Sequence, residues 1–355
     1  MFLKSYGLSM GFTLLCLALA AYWGHHTGMG IAPALWLTTV LGVLEVSLSF
    51  DNAVVNASVL KTMSPFWQKM FITLGILIAV FGMRLIFPIL IVSVMTDMGA
   101  GEVVDLALND AERYGQVLTD AYPMIAAFGG TFLLMVFLGF ALDEDREVHW
   151  LGVFEQKMGA LGKLESIEVV IALFAVIATA LSLPDTLRFK VLLSGVSGII
   201  LFVLISSLDS LFEQGAEGGG SEAEAGARAT TTVARNGLMG FLYLEVLDAS
   251  FSFDGVIGAF AITRDVVIIM LGLAIGAMFV RSLTIDLVRR GALDEYVYLE
   301  HGAMYAIGVL AVIMFVGTQI HVPEVVTGLI GAGFIGLAML SSIRAKRREE
   351  AGAGA

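Results

Sequence analysis

Five carboxylates, with hydroxyls and amides beside them, fall in two stretches that are otherwise apolar. The first carries Glu45, Ser49, Asp51, Asn52 and Asn56; the second carries Glu245, Asp248, Ser252 and Asp254. On a helix Glu45, Ser49, Asn52 and Asn56 step by four, three and four residues, which makes one polar stripe. Asp51 lies about 100° from Asn52 and joins that stripe only at its edge, or where the helix unwinds. In the second stretch Asp248 and Ser252 repeat the stripe before Gly255 and Ala259 replace the amides, and Glu245 shares the face of Asp248. Crowded carboxylates resist joint ionisation unless a cation compensates them. An all-oxygen set without thiolate suits Mg²⁺, Ca²⁺ or Mn²⁺ better than zinc or copper, with Asn52 and Asn56 offering carbonyl oxygens. An Asp at the centre of a membrane helix costs about 2.5–3.5 kcal/mol, so such groups need a reason to be there. The competing reason is structural: Glu45 and Asp248 would bond to neighbouring helices or pair with Arg84 and Arg281. Those arginines either neutralise the acids until an ion enters and then swing away, or snorkel to an interface.

The two stretches are copies. Ser49-Phe50-Asp51-Asn52 recurs as Ser252-Phe253-Asp254-Gly255, and Leu44-Glu45-Val46 recurs as Leu244-Glu245-Val246, displaced by three residues. Without that displacement Glu45 matches Asp248. Further on, Leu74-Gly75 precedes Arg84 as Leu271-Gly272 precedes Arg281, nine residues from glycine to arginine in both. The repeat spans about five apolar runs. Because five is odd, the second copy enters a membrane in the opposite sense to the first, the arrangement typical of secondary transporters with a midplane site.

The elements that position these groups follow from composition. The 355 residues are 58% hydrophobic and 15% charged, against 45–50% and about 25% for a soluble domain. An all-α polytopic membrane protein is expected, and a water-soluble enzyme is not. About ten runs are long enough to span: 6–24, 31–60, 68–96, 121–142, 166–184, 189–212, 236–262, 265–288, 299–320 and 324–343. With the N-terminus inside, fourteen of the 20 Lys and Arg fall on cytoplasmic segments and four outside, while Arg84 and Arg281 lie within spans. That asymmetry places both termini inside. The first repeat covers 1–184, the second 185–343, with a cytoplasmic low-complexity linker at 213–234, and a basic tail follows at 344–355. Lys4 and the run to Ala20 also resemble a cleaved signal peptide, but equal repeats require this helix to be kept. Residues 97–120 read as an acidic outer loop. Trp150, Leu151, Phe154, Met158 and Leu161 suit a short helix on the inner membrane surface. His301 beside Glu300 is either an entrance residue or a helix-end pair; His25, His26 and His321 lack metal-ligand spacing. Asp209 and Asp286 sit near interfaces. Cys16 has no partner for a disulfide, and the net charge of −12 disfavours nucleic acid. No nucleotide loop, zinc-protease motif or nucleophile triad occurs, so neither an enzyme nor a permanently bound cofactor is expected.

The run Leu44-Glu45-Val46-Ser47-Leu48-Ser49-Phe50-Asp51-Asn52 resembles the signature of the TerC integral membrane family, named for tellurium resistance. Ser252-Phe253-Asp254, Arg84 and Arg281 are similar to that family's pattern, and Tyr298-Leu299-Glu300-His301-Gly302 resembles a long-chain branch of it. The resemblance implies a bacterial inner-membrane protein that exports Mn²⁺. It would make Asp51, Asn52 and Asp254 ion ligands, with Glu45 and Asp248 supporting and Glu245, Ser49, Asn56, Ser252, Arg84 and Arg281 in supporting or gating roles. Gly255 stands where the first copy has Asn52, so the site would be asymmetric. The leading expectation is a divalent-cation exporter working by alternating access, with protons as the counter-ion because the same carboxylates hold either. The bilayer, the metal and protons are then its partners. Alternatives are a non-transporting membrane factor for envelope stress or membrane-protein assembly, and a carrier of another cationic solute. Deleting the 213–234 linker should disable a docking factor and spare a transporter.

Overall fold

The computed structural model describes residues 2–216, 237–320 and 322–353. Side chains of residues 2–5, 208–216, Asp254, Glu324 and 349–353 fall outside that description, as do His321 and most of the 213–234 linker. The described residues form helices and no strands. In chain order these are α1 Phe2–His26, α2 Ile31–Leu48, α3 Phe50–Leu60, α4 Pro65–Leu77, a π-helical stretch Ile78–Ile86, α5 Phe87–Thr96, α6 Ala100–Asn109 and α7 Ala111–Ala141. They continue as α8 Val153–Leu161, α9 Ile167–Leu181, α10 Asp185–Ala216, α11 Leu238–Ile262, α12 Val266–Arg290, the single turn α13 Ala292–Glu295, α14 Leu299–Gly317 and α15 Glu324–Ala353.

Among the described residues, eight helices are long and apolar enough to cross a membrane: Tyr6–His26, Ile31–Leu48, Pro65–Thr96, Ala111–Ala141, Asp185–Ser207, Val266–Arg290, Leu299–Gly317 and Val325–Arg348. Large apolar side chains such as Phe174, Phe189, Leu14 and Trp36 point outward, a surface that only lipid can solvate cheaply. The chain is a multi-pass membrane protein by these helices. Two expected runs fall short of the count of ten. The fifth is a 15-residue helix, Ile167–Leu181. The seventh, α11, has 25 residues, but Glu245, Asp248 and Asp254 interrupt its apolar character.

The stretch 97–120, expected as a loop, is helical instead. It forms α6 and the first turns of α7, with Asp110 capping α7 by accepting from the Arg113 amide at 3.1 Å. Asp97, Glu102, Asp105, Asp110, Glu112 and Asp120 are all exposed. Charge density read as loop because one face of these helices is solvated; Val103, Ala107, Tyr114 and Leu118 bury the other. The surface helix expected near Trp150 forms as α8, with Leu151, Phe154 and Leu161 exposed.

Two departures from regular winding bear on the polar groups. The second apolar run breaks at Ser49, whose φ of −102° and ψ of 21° separate α2 from α3. Ser47 Oγ bonds back to the Val43 carbonyl at 2.7 Å, the side-chain competition that bends helices. The run Pro65–Thr96 loosens into π winding just before Pro88, which has no N–H to donate and crowds the carbonyl one turn back. Its counterpart α12 is regular throughout, started by Asp265, which accepts from the Val267 and Ile268 amides at 3.0 Å. Trp23 of α1 donates to the same carboxylate at 2.9 Å, pinning α1 to α12. The end of α3 meets the start of α11 where Leu60, Phe241 and Leu244 pack with Met63 and Phe71.

Candidate functional site

The break at Ser49 puts Asp51 and Asn52 in the first turn of α3, while Glu45 remains on the last turn of α2. Glu45 crosses to the second half of the chain. A β-carbon on Gly276 of α12 would overlap its Cβ and Cγ, and one on Gly255 of α11 would stand 2.8 Å from its Oε2. Only glycine at 276 admits the side chain. Arg84 Nη2 pairs with Glu45 Oε1, and both side chains are about 5% exposed. The π winding leaves the Ala79 carbonyl to accept from Arg84 Nη1 at 2.8 Å, so the guanidinium is held from two sides.

The second copy builds a similar pair with different partners. Arg281 Nη2 lies 3.3 Å from Glu245 Oε1 and 3.3 Å from Asp248 Oδ2. Its Nη1 approaches the Phe71 carbonyl at 3.4 Å, and its guanidinium carbon sits 3.9 Å over the Phe71 ring. Gly75 admits this group: a β-carbon there would stand 2.6 Å from Glu245 Oε1 and 2.7 Å from Arg281 Nη1. Arg281 is the largest fully buried side chain among the described residues. A buried charge is tolerated at this depth only when paired.

Both sets converge. A void of about 10 Å³, room for roughly one water, is lined by Glu45, Ser49 and Asn52 from the first copy, Asp248 and Ser252 from the second, and both arginines. Next to it a cavity of about 260 Å³ shares Glu45, Ser49 and Asn52, adds Asp51, and runs to Thr119 of α7 and to Gln319 and Val322 between α14 and α15. Asp51 accepts from the Asn52 amide at 3.0 Å and makes no ion pair among the described residues. A β-carbon on Gly331 would stand 2.8 Å from its Oδ2, so α15 passes directly over it. Three buried carboxylates, Glu45, Glu245 and Asp248, pair with the two guanidiniums, and a fourth, Asp51, stands beside them with no ion pair among the described residues. Among the described residues no three His, Cys, Asp or Glu side chains gather closely enough to hold a metal ion; the guanidiniums stand between the acids.

Not every residue of the expected set is drawn in. Asn56 continues the stripe on α3 but lines neither space, and its Oδ1 and Nδ2 are buried without hydrogen-bond partners. Asp254 lies on α11 and its side chain is outside the described residues. Sequence reasoning used Gly75 only as a marker of the repeat and passed over Gly276 and Gly331, although Gly272 and Gly276 form the small-x3-small spacing that lets membrane helices approach.

A second polar cluster was not foreseen. Glu155 of α8 accepts from Tyr305 Oη at 2.9 Å and from the Trp150 amide at 2.7 Å. His301 is buried at the start of α14, with Nε2 3.0 Å from the Val148 carbonyl and 3.9 Å from Glu155 Oε2. Arg146, just beyond α7, sits 3.2 Å over the Phe140 ring; burial pushes its guanidinium pKa below the ordinary value while Asp143 pulls it back up.

No curated protein and no solved structure matches the chain. A family described as "Protein of unknown function (DUF475)" matches residues 50–349, which takes in Asp51, Asn52, Arg84, Asp248, Asp254 and Arg281 and leaves Glu45 just outside. With most of its length and both arginines inside that match, the chain belongs to this family.

Proposed function

We propose that this protein is a secondary transporter of a divalent metal cation, with Mn²⁺ as the favoured cargo. One observation carries the proposal: the two acidic motifs, about 200 residues apart in sequence, meet at one buried site where four carboxylates outnumber two guanidiniums. Ionised together, these carboxylates carry two more charges than the guanidiniums offset, and a divalent ion compensates that excess at least cost. The 260 Å³ cavity supplies an approach to Asp51 and Glu45 from one side. Hard oxygen ligands favour Mn²⁺, Mg²⁺ or Ca²⁺, and the likeness of the Glu45–Asn52 run to the TerC signature favours Mn²⁺ among them. Ten spans in two inverted repeats, with both termini inside, belong to the same proposal. The meeting of the end of α3 with the start of α11 supports opposite senses for the two copies, and the pairing of each copy's acid with an arginine on its own following helix supports the repeat. Residence in a bacterial inner membrane follows from the TerC resemblance.

In this mechanism the cation enters the cavity, meets Asp51 and Asn52 first, and displaces the arginines from the inner carboxylates. Protons return by the same groups. Metal flux in everted vesicles, run with Mn²⁺, Ca²⁺, Mg²⁺ and Co²⁺, tests it. Asp51→Asn and Asp254→Asn should each abolish flux at unchanged membrane abundance. Undiminished flux in both variants would remove the site assignment, and no flux of any of the four ions would remove the function.

A further inference from the structure

The 260 Å³ cavity reaches the carboxylates from one side, and an apolar cluster that includes Phe71 packs on the other. Along α11 three zones follow one another. Phe241 and Leu244 pack with Leu60, Met63 and Phe71; Glu245 and Asp248 hold Arg281; Phe251, Gly255 and Ile257 line the cavity. From Leu244 to Phe251 the rise is about 10 Å. Glu245 therefore adjoins the apolar plug in sequence, and Asp248 lies about one turn from it. Within that plug Phe71 is fully buried and touches the site: Arg281 stacks on its ring and donates to its carbonyl. The same guanidinium is the partner of Glu245 and Asp248.

We propose that Phe71 is the gate on the side away from the cavity, and that Arg281 is the lever joining it to the carboxylates. The inference rests on the transport mechanism above and adds its regulation. A cation that takes Glu245 and Asp248 from Arg281 frees the guanidinium, and with it the stack and hydrogen bond that hold Phe71 in the plug. With the site unloaded, Arg281 stays on the acids and Phe71 stays shut, so a leak of protons or metal is prevented.

Accessibility of the plug tests this in the full chain in proteoliposomes. A cysteine introduced by Leu244→Cys, with Cys16→Ala removing the native thiol, is probed by a membrane-impermeant maleimide from each face. With Phe71 intact and no metal, labelling should be negligible from both faces. Phe71→Ala should raise it at least tenfold from one face; Phe71→Leu, which keeps bulk, should raise it less and guards against a failure of the alanine variant to fold. Saturating Mn²⁺ should raise labelling in the parent, and Arg281→Lys, which cannot stack and donate together, should raise it without metal. Unchanged labelling in Phe71→Ala and Phe71→Leu, with normal elution on gel filtration, would overturn the gate. Labelling raised by Phe71→Ala but indifferent to Mn²⁺ would support the gate and overturn the metal as its trigger, which separates this inference from the cargo assignment.

Discussion

The pair Arg84–Glu45 offers the sharpest test of how the site is held. Both side chains are about 5% exposed, so salt screening does little to it. Replacing Arg84 by Met removes the guanidinium and keeps much of the volume. Glu45 is then a buried carboxylate between Gly255 and Gly276 with no cation beside it, a loss of about 3–5 kcal/mol. Glu45→Gln leaves the Arg84 guanidinium, which cannot shed its charge, with the Ala79 carbonyl at 2.8 Å and one neutral partner, so a loss of similar size, about 3–5 kcal/mol, is expected. With both changes no charge is left uncompensated. The double variant should recover most of the stability, falling within about 1–2 kcal/mol of the parent. The coupling in the cycle should therefore exceed about 4 kcal/mol. The measurement is reversible unfolding of the purified protein in mixed micelles by SDS titration, at low and high salt. Losses that simply add, or a coupling that vanishes in high salt, would show that the two groups are solvated and that the site is not closed to water.

Two further outcomes follow from contacts at the site and away from it. Gly276→Ala should abolish metal flux at normal abundance, because its β-carbon takes the place of the Glu45 side chain; flux near the parent level would mean Glu45 has another route into the void. Tyr305→Phe removes the 2.9 Å hydrogen bond to Glu155, costing about 1.5–3 kcal/mol for a bond to a charged group. Amide exchange in α8 should quicken in that variant, and unaltered exchange would show that Glu155 does not anchor the helix.

Much of the site could be read from sequence because it is written twice. The duplicated Ser-Phe-Asp motif and the shared nine-residue interval from glycine to arginine pointed to groups that the fold brings together, and Glu45 does meet Arg84. Asp51 is expected to join the stripe at its edge or where the helix unwinds, and the chain breaks at Ser49, two residues before it. What escaped the sequence depended on contacts without periodicity. Glu155 and Tyr305 are 150 residues apart, and nothing in either neighbourhood signals the other. Phe71 is one of 23 phenylalanines, distinguished only by the arginine that lies on it. The helices at 97–120 were missed because a charged face hides an apolar one, and α9 was counted as a span although its apolar helix is only 15 residues long.

The π-helical stretch Ile78–Ile86 has a consequence for the duplicated halves. From Gly272 to Arg281 the chain is regular α-helix, so nine residues carry the arginine about 180° round the axis from the glycine. From Gly75 to Arg84 the same nine residues pass mostly through wider turns, and the arginine arrives at a different bearing. One spelling is thus wound to two angles, and the protein owns two arginines that are equal as text and unequal as compass points. Substitutions at matched positions are not duplicate experiments: a change at Arg84 interrogates Glu45 and the void they share, whereas the same change at Arg281 interrogates Phe71 and its cluster.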